Sequence, residues 1–346
     1  MKRISLTICI AFVWAVPFIA FAQESRPAKP AAALLKKAAA KAGVKFSKPK
    51  PDLHDIKYGP HERHVFDLYK ARSNKPTPLV VYIHGGGFTG GDKKRVNPML
   101  VNHCLKAGIS VASIEYRLAP EVTLPAPMLD AGRAIQFIRS KAREYNIDPA
   151  RVAACGGSAG AGITLWLGFH DDLADPDSND PIRRQSTRLS CLGTFNGQCS
   201  YDPRFMASFL GKRIYEHPNL PKIYDLKPDE LDTPKAFKRY EKASPINYAT
   251  RDDPPVFMYY SKADTPPAPD ASMGELVHHP RFGYKLKTVL DRLGVESIVR
   301  TAADYKGNRI VTLNKSYEDM TAFFLKNFKK TPSSNRHECT TTAPVQ

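Results

Sequence analysis

Cysteine is scarce in this chain, six residues in 346, of which five follow residue 22. Their spacings match no zinc pattern, and an odd number cannot all be paired. Cys191 and Cys199 are the nearest candidates for a bridge, while Cys155 and Cys191 sit in apolar β-type runs where a small buried thiol is the expected state. Long hydrophobic runs are missing from the body: none reaches the roughly 18 residues that a membrane span needs. There is no heptad pattern and no solenoid or collagen period. Fibrous, repeat and polytopic membrane architectures are thereby excluded. What remains is ordinary for a globular protein, 42% hydrophobic and 25% charged. The length suits one large domain or two small ones.

The N-terminus reads differently. Lys2 and Arg3 precede an apolar stretch over 8–21, and Ala20 and Ala22 supply the small residues of a cleavage site before Gln23. Residues 1–22 read as a secretory signal peptide, so the protein is expected to be secreted or periplasmic. The net charge of +17 is uneven: residues 23–50 carry eight basic residues against one acid, whereas 51–328 hold only +6. That basic Ala/Lys/Pro-rich leader is a solvated tether, with weak contact to an anionic envelope as the sharper expectation. Nothing resembles a nucleic-acid module, and no nucleic-acid partner is expected. The tail, 331–346, is polar and expected to be disordered.

Between leader and tail, short β-rich runs at 64–69, 79–83, 110–115, 152–155, 189–195, 256–260 and 297–300 alternate with helical spacing at 127–145, 159–169, 284–293 and 317–328. Strand and helix in alternation imply crossovers, hence an α/β fold with a mostly parallel sheet and helices on both faces. Residues 51–330 form this domain. The segment 200–243, Tyr/Lys-rich and dotted with proline, breaks the alternation and reads as a lid-like insertion.

Two motifs carry chemistry. Gly156-Gly157-Ser158-Ala159-Gly160 follows a strand and opens a helix, the setting that a G-x-S-x-G turn requires to lift a serine hydroxyl above a sheet edge. His84-Gly85-Gly86-Gly87-Phe88 follows the strand ending at residue 83. Three glycines there let backbone N–H groups face an oxyanion, and Gly86, Gly87 and Ala159 are the expected donors. His84 is expected to hold the loop rather than act as a base. No Gly-Lys-Ser/Thr and no G-x-G-x-x-G accompanies the loop, so no phosphate cradle and no cofactor is read. No metal site is read either. His170-Asp171-Asp172 closes a helix, and His61 and His64, three apart where the first strand begins, are expected on opposite faces.

His84-Gly-Gly-Gly-Phe, Glu115-Tyr-Arg-Leu-Ala-Pro120, Asp148-Pro-Ala-Arg151 and Gly156-Gly-Ser-Ala-Gly160 together resemble the hormone-sensitive-lipase-like branch of the α/β-hydrolase superfamily. The resemblance covers roughly 65–328. It implies an esterase acting on a small-molecule or polysaccharide-linked ester through an acyl-serine, with Ser158 as nucleophile, Gly86, Gly87 and Ala159 as oxyanion hole, and Asp264 as the acid after the next-to-last strand. Glu115, Arg117 and Asp130 are expected as polar ties around the site loops.

One departure matters. The family's histidine follows the last strand, but no histidine occurs between His279 and His337, and Tyr305 stands about where it would be. A tyrosine with a pKa near 10 cannot replace it near neutral pH. Three readings stay open: His279 or its neighbour His278 supplies the base, with His279 the nominal choice; His337 folds back from the tail; or the base is absent. The last would make the chain a degenerate hydrolase that serves as a binding protein.

Overall fold

The computed structural model describes residues 47–330. The expected signal peptide, most of the basic leader and the tail with His337 and Cys339 lie outside the described residues. Eight strands form one sheet: β1 (Leu53–Lys57), β2 (Val65–Tyr69), β3 (Thr77–Ile83), β4 (Ser110–Ile114), β5 (Ile147–Gly157), β6 (Leu192–Phe195), β7 (Val256–Tyr260) and β8 (Ser297–Thr301). Their spatial order is β1-β2-β4-β3-β5-β6-β7-β8. The β1/β2 and β2/β4 pairs are antiparallel and every other pair is parallel. This is the mostly parallel α/β sheet expected from the alternation.

The reason lies in the central strands. Leu79, Val80 and Val81 of β3, Val111 and Ala112 of β4, and Ala153, Ala154 and Cys155 of β5 are all fully buried. Successive strand residues point to opposite faces, so an unbroken apolar run signals a sheet covered on both sides. Strand β1 was not expected. Its sequence Leu-His-Asp-Ile-Lys is almost wholly exposed, and it forms only by pairing with β2 at the sheet edge.

Helices at Pro98–Lys106, Pro203–Leu210 and Pro234–Ala243 were also unexpected. In each, a capping side chain stands just before the proline: Asn97 accepts from Met99 N–H, Asp202 from Arg204 N–H and Thr233 from Ala236 N–H. Proline at the first helical position gives up only a donor that has no partner there anyway. These prolines start helices rather than break them. The last two helices, with Leu220–Tyr224, lie within 200–243.

One candidate pairing falls away and one expectation needs correction. Cys191 and Cys199 are buried free thiols, not a bridge. Strand β6 lies extended between them and alone spans about 13 Å, beyond disulfide reach. His61 and His64 precede β2 in a turn rather than occupying a strand, and their rings are 5.4 Å apart. Each has its own carboxylate: His61 Nε2 lies 2.7 Å from Glu121, and His64 Nε2 lies 3.2 Å from Asp130.

Candidate active site

Strand β5 ends at Gly157, and the helix Ala159–Phe169 starts two residues later. Ser158 makes the turn between them with φ 53° and ψ −123°. For a residue with a Cβ that backbone is strained by roughly 1–3 kcal/mol. Packing imposes it. A Cβ on Gly156 would lie 2.4 Å from the Gly160 carbonyl, and one on Gly160 would lie 2.1 Å from the Ile83 carbonyl oxygen. Only glycines let strand, turn and helix meet so closely. The Ser158 N–H donates to Phe195 O at 2.9 Å, which anchors the turn to β6. Its hydroxyl makes no cap bond to the helix and is left for other partners.

The glycine loop leaves the end of β3 beside this turn. Gly86 and Gly87 have φ of +136° and +61°, conformations that residues with side chains rarely adopt. Gly87 and Ala159 line one cavity with Ser158. The N–H groups of Gly86, Gly87 and Ala159 have no protein acceptor among the described residues. His84 is fully buried. Its Nδ1 lies 2.9 Å from Gly85 O and its Nε2 3.1 Å from Glu115 Oε2, and its ring stacks on Tyr116 at 4.3 Å. Glu115 also pairs with Arg63 and accepts the Lys93 N–H at 2.7 Å. Arg117 donates to both oxygens of Asp130. These groups hold the loops through contacts with one another and with backbone.

The serine hydroxyl's partner is His278, whose Nε2 lies 2.9 Å from Ser158 Oγ. It stands at the C-terminal end of a short helix, Met273–Val277, in the loop region after β7. Burial lowers its pKa below the ordinary imidazole value, and a hydrogen bond with the Gly274 backbone works the other way. The helix is itself held by a reciprocal cap: Glu275 N–H donates to Ser272 Oγ, and the Glu275 carboxylate accepts from Ser272 N–H and pairs with Lys262.

His279 turns away. Its Nε2 lies 2.8 Å from Thr265 O, and its Nδ1 accepts the Arg281 N–H at 3.2 Å. Neighbours in sequence diverge here because only one side of the helix end faces the serine turn. Asp264 lies 3.9 Å from His279 and 3.7 Å from Arg281, not beside His278. Among the described residues His278 forms no ion pair with a carboxylate. Tyr305 donates to Asp319 at 2.8 Å, and burial raises its pKa.

The cavity over Ser158 measures about 60 Å³. At roughly 10–15 Å³ per water-sized occupant it admits only a handful of atoms. Much of its wall comes from 200–243: Tyr201, Met206, Ile214, His217, Asn219 and Ile223. Asn219 ties this wall to the glycine loop by donating to Gly87 O at 3.0 Å and lying 3.2 Å from Thr89 Oγ1. The sequence reading passed over His217 and Asn219. The Ser-x-x-Glu spacing at 272–275 was the legible sign of the helix that carries His278.

A family model described as BD-FAE matches residues 66–273, more than half of the chain. The chain is 27% identical over 231 residues to esterase LipQ of Mycobacterium tuberculosis, covering 63% of this chain and 50% of LipQ. It is 40% identical over 90 residues to carboxylesterase NlhH of the same organism, covering 26% of this chain and 28% of NlhH. The chain thus spans at most about half the length of these curated relatives. Among solved structures, the truncated form of a carbohydrate esterase from gut microbiota superposes with a TM-score of 0.64 at 21% identity, covering 83% of this chain and 99% of its own.

Proposed function

The chain belongs to the BD-FAE family, with an α/β-hydrolase fold, and on that premise we propose that it is an exported serine esterase for carboxylic esters of short acyl groups. The observation that carries this reading is the 2.9 Å contact between His278 Nε2 and Ser158 Oγ. A histidine accepts a serine proton at Nε2 only if its own hydrogen is on Nδ1. In this mechanism His278 carries its hydrogen on Nδ1. Ser158 Oγ then attacks the acyl carbon while His278 takes its proton. The Gly86, Gly87 and Ala159 N–H groups hold the oxyanion, aided by the N-terminus of the helix Ala159–Phe169. His278 returns the proton to the departing alcohol, and water releases the acid in a second round.

The small cavity supports an acetyl-sized acyl group. The carbohydrate-esterase neighbour fits an ester carried on a polysaccharide. Lys2, Arg3 and the apolar 8–21 stretch support export.

One observation favours a second reading, a binding protein on the same frame: among the described residues no carboxylate backs His278. Intact-mass labelling with a fluorophosphonate separates the two. A stoichiometric adduct on Ser158, absent in Ser158→Ala, is the result expected of the esterase. An unlabelled protein, under conditions that label an ordinary serine esterase, would leave the binding protein standing.

A further inference from the structure

Acyl transfer leaves one polar side chain of the cavity without a task. His217 lies in the 200–243 segment, between the turn Lys212–Glu216 and the helix Leu220–Tyr224, and lines the same cavity as Ser158, Gly87 and Ala159. Its Nδ1 accepts the Asn219 N–H at 3.1 Å. A ring nitrogen that accepts carries no hydrogen, so the neutral ring has its hydrogen on Nε2. That N–H has no protein acceptor among the described residues.

The other side-chain donors on the wall are already committed. Gln198 donates to Asn196 O and Val277 O, Tyr201 donates to Gln198, and the Asn219 amide donates to Gly87 O. The remaining wall is apolar, with Phe88, Met206, Ile214, Leu220 and Ile223. Leaving out Ser158 itself, the cavity offers one uncommitted side-chain N–H among the described residues. Burial lowers the His217 pKa. His217 therefore stays a neutral donor while His278 holds the serine proton. An acetyl-sized acyl group has no oxygen beyond the carbonyl that the oxyanion hole takes, so a partner for this N–H can come only from the alcohol.

The geometry points to His217 as the residue that selects the alcohol side of the ester, donating from Nε2 to a hydroxyl or ether oxygen of a polyol or sugar. This rests on the esterase reading. An alcohol with no second oxygen would leave that N–H desolvated and unpaired, a penalty that makes such sites selective.

Glyceryl monoacetate and n-propyl acetate share a three-carbon alcohol skeleton and differ only in hydroxyls. We expect the protein to favour the glyceryl ester about tenfold or more in kcat/KM. His217→Phe should bring that ratio close to one, mainly through KM for the glyceryl ester, while His217→Gln, which keeps an N–H, should retain most of it. If His217→Phe does not fold, His217→Asn, too short to reach, replaces it. No preference in the parent protein, or a preference that survives loss of the ring, overturns the inference. Fluorophosphonate labelling of the same samples tells the failures apart. A labelled protein without the preference loses this inference alone; an unlabelled protein that hydrolyses neither ester loses the esterase reading and this inference with it.

Discussion

His278 and His279 are adjacent, yet one touches the serine hydroxyl and the other a backbone carbonyl. Under the proposed mechanism His278→Ala should lower kcat by about 10⁴–10⁶, as loss of a base does in serine hydrolases. Asp264 makes the opposite case. An orienting aspartate is worth about 10⁴ in turnover. Asp264 is instead directed at His279 and Arg281, so Asp264→Asn should cost less than tenfold, and a loss near 10⁴ would show that it does orient the base. Because burial lowers the pKa of His278, its free-base form persists to lower pH. The acid limb of kcat/KM should therefore fall at a pH below the ordinary imidazole value of about 6.5. A limb at 7 or above would contradict an unpaired base. Motif spacing made the serine turn and glycine loop readable because both are local backbone features. The choice between two histidines was not readable, because it depends on which side of a helix end meets a strand 120 residues away in sequence.

At the scale of elements, the turn between β5 and its helix stores strain that the serine requires. Ser158→Gly should raise stability by about 1 kcal/mol, after allowing for the entropy glycine costs, while removing esterase activity. Calorimetry on the two proteins checks it. Gly160→Ala should do the reverse, because the new methyl meets the Ile83 carbonyl; a loss of about 1–3 kcal/mol or outright misfolding is expected. The segment 200–243 acts on the glycine loop through Asn219. Asn219→Ala frees the Gly87 carbonyl and should lower kcat by about tenfold, less than the 10²–10³ that follows outright loss of an oxyanion donor. Helices in this segment escaped the sequence reading because a polar stretch dotted with proline was read only as an insertion. With a capping residue in front, each marks a start.

For the whole molecule, the alternation of unbroken apolar strands with amphipathic helices carried enough information for the parallel sheet. An edge such as β1 did not, since it has no hydrophobic pattern and exists only through its partner. Acid stability is also a property of the whole. Burial acts to raise the Asp130 pKa, but bonds from His64 and Arg117 outweigh it and pull the value down to about 2. A depressed carboxylate stabilises the fold above its unfolded pKa and loses that contribution as pH falls. Asp130→Asn should therefore remove on the order of 2 kcal/mol at neutral pH and flatten the pH dependence of unfolding between about pH 4 and 2.

The position of His278, ahead of β8 rather than after it, has a consequence for how this chain can vary. Ser158, the glycine loop, the wall residues and the base all fall between residues 84 and 278. The outermost parallel strand, β8, then serves the sheet and supplies no residue to the proposed chemistry. Under the proposed mechanism β8 can fray or drift in sequence with β7 and β6 standing between it and the strand that ends at the serine turn, whereas the terminal helix, whose Tyr317 packs against Phe195, cannot.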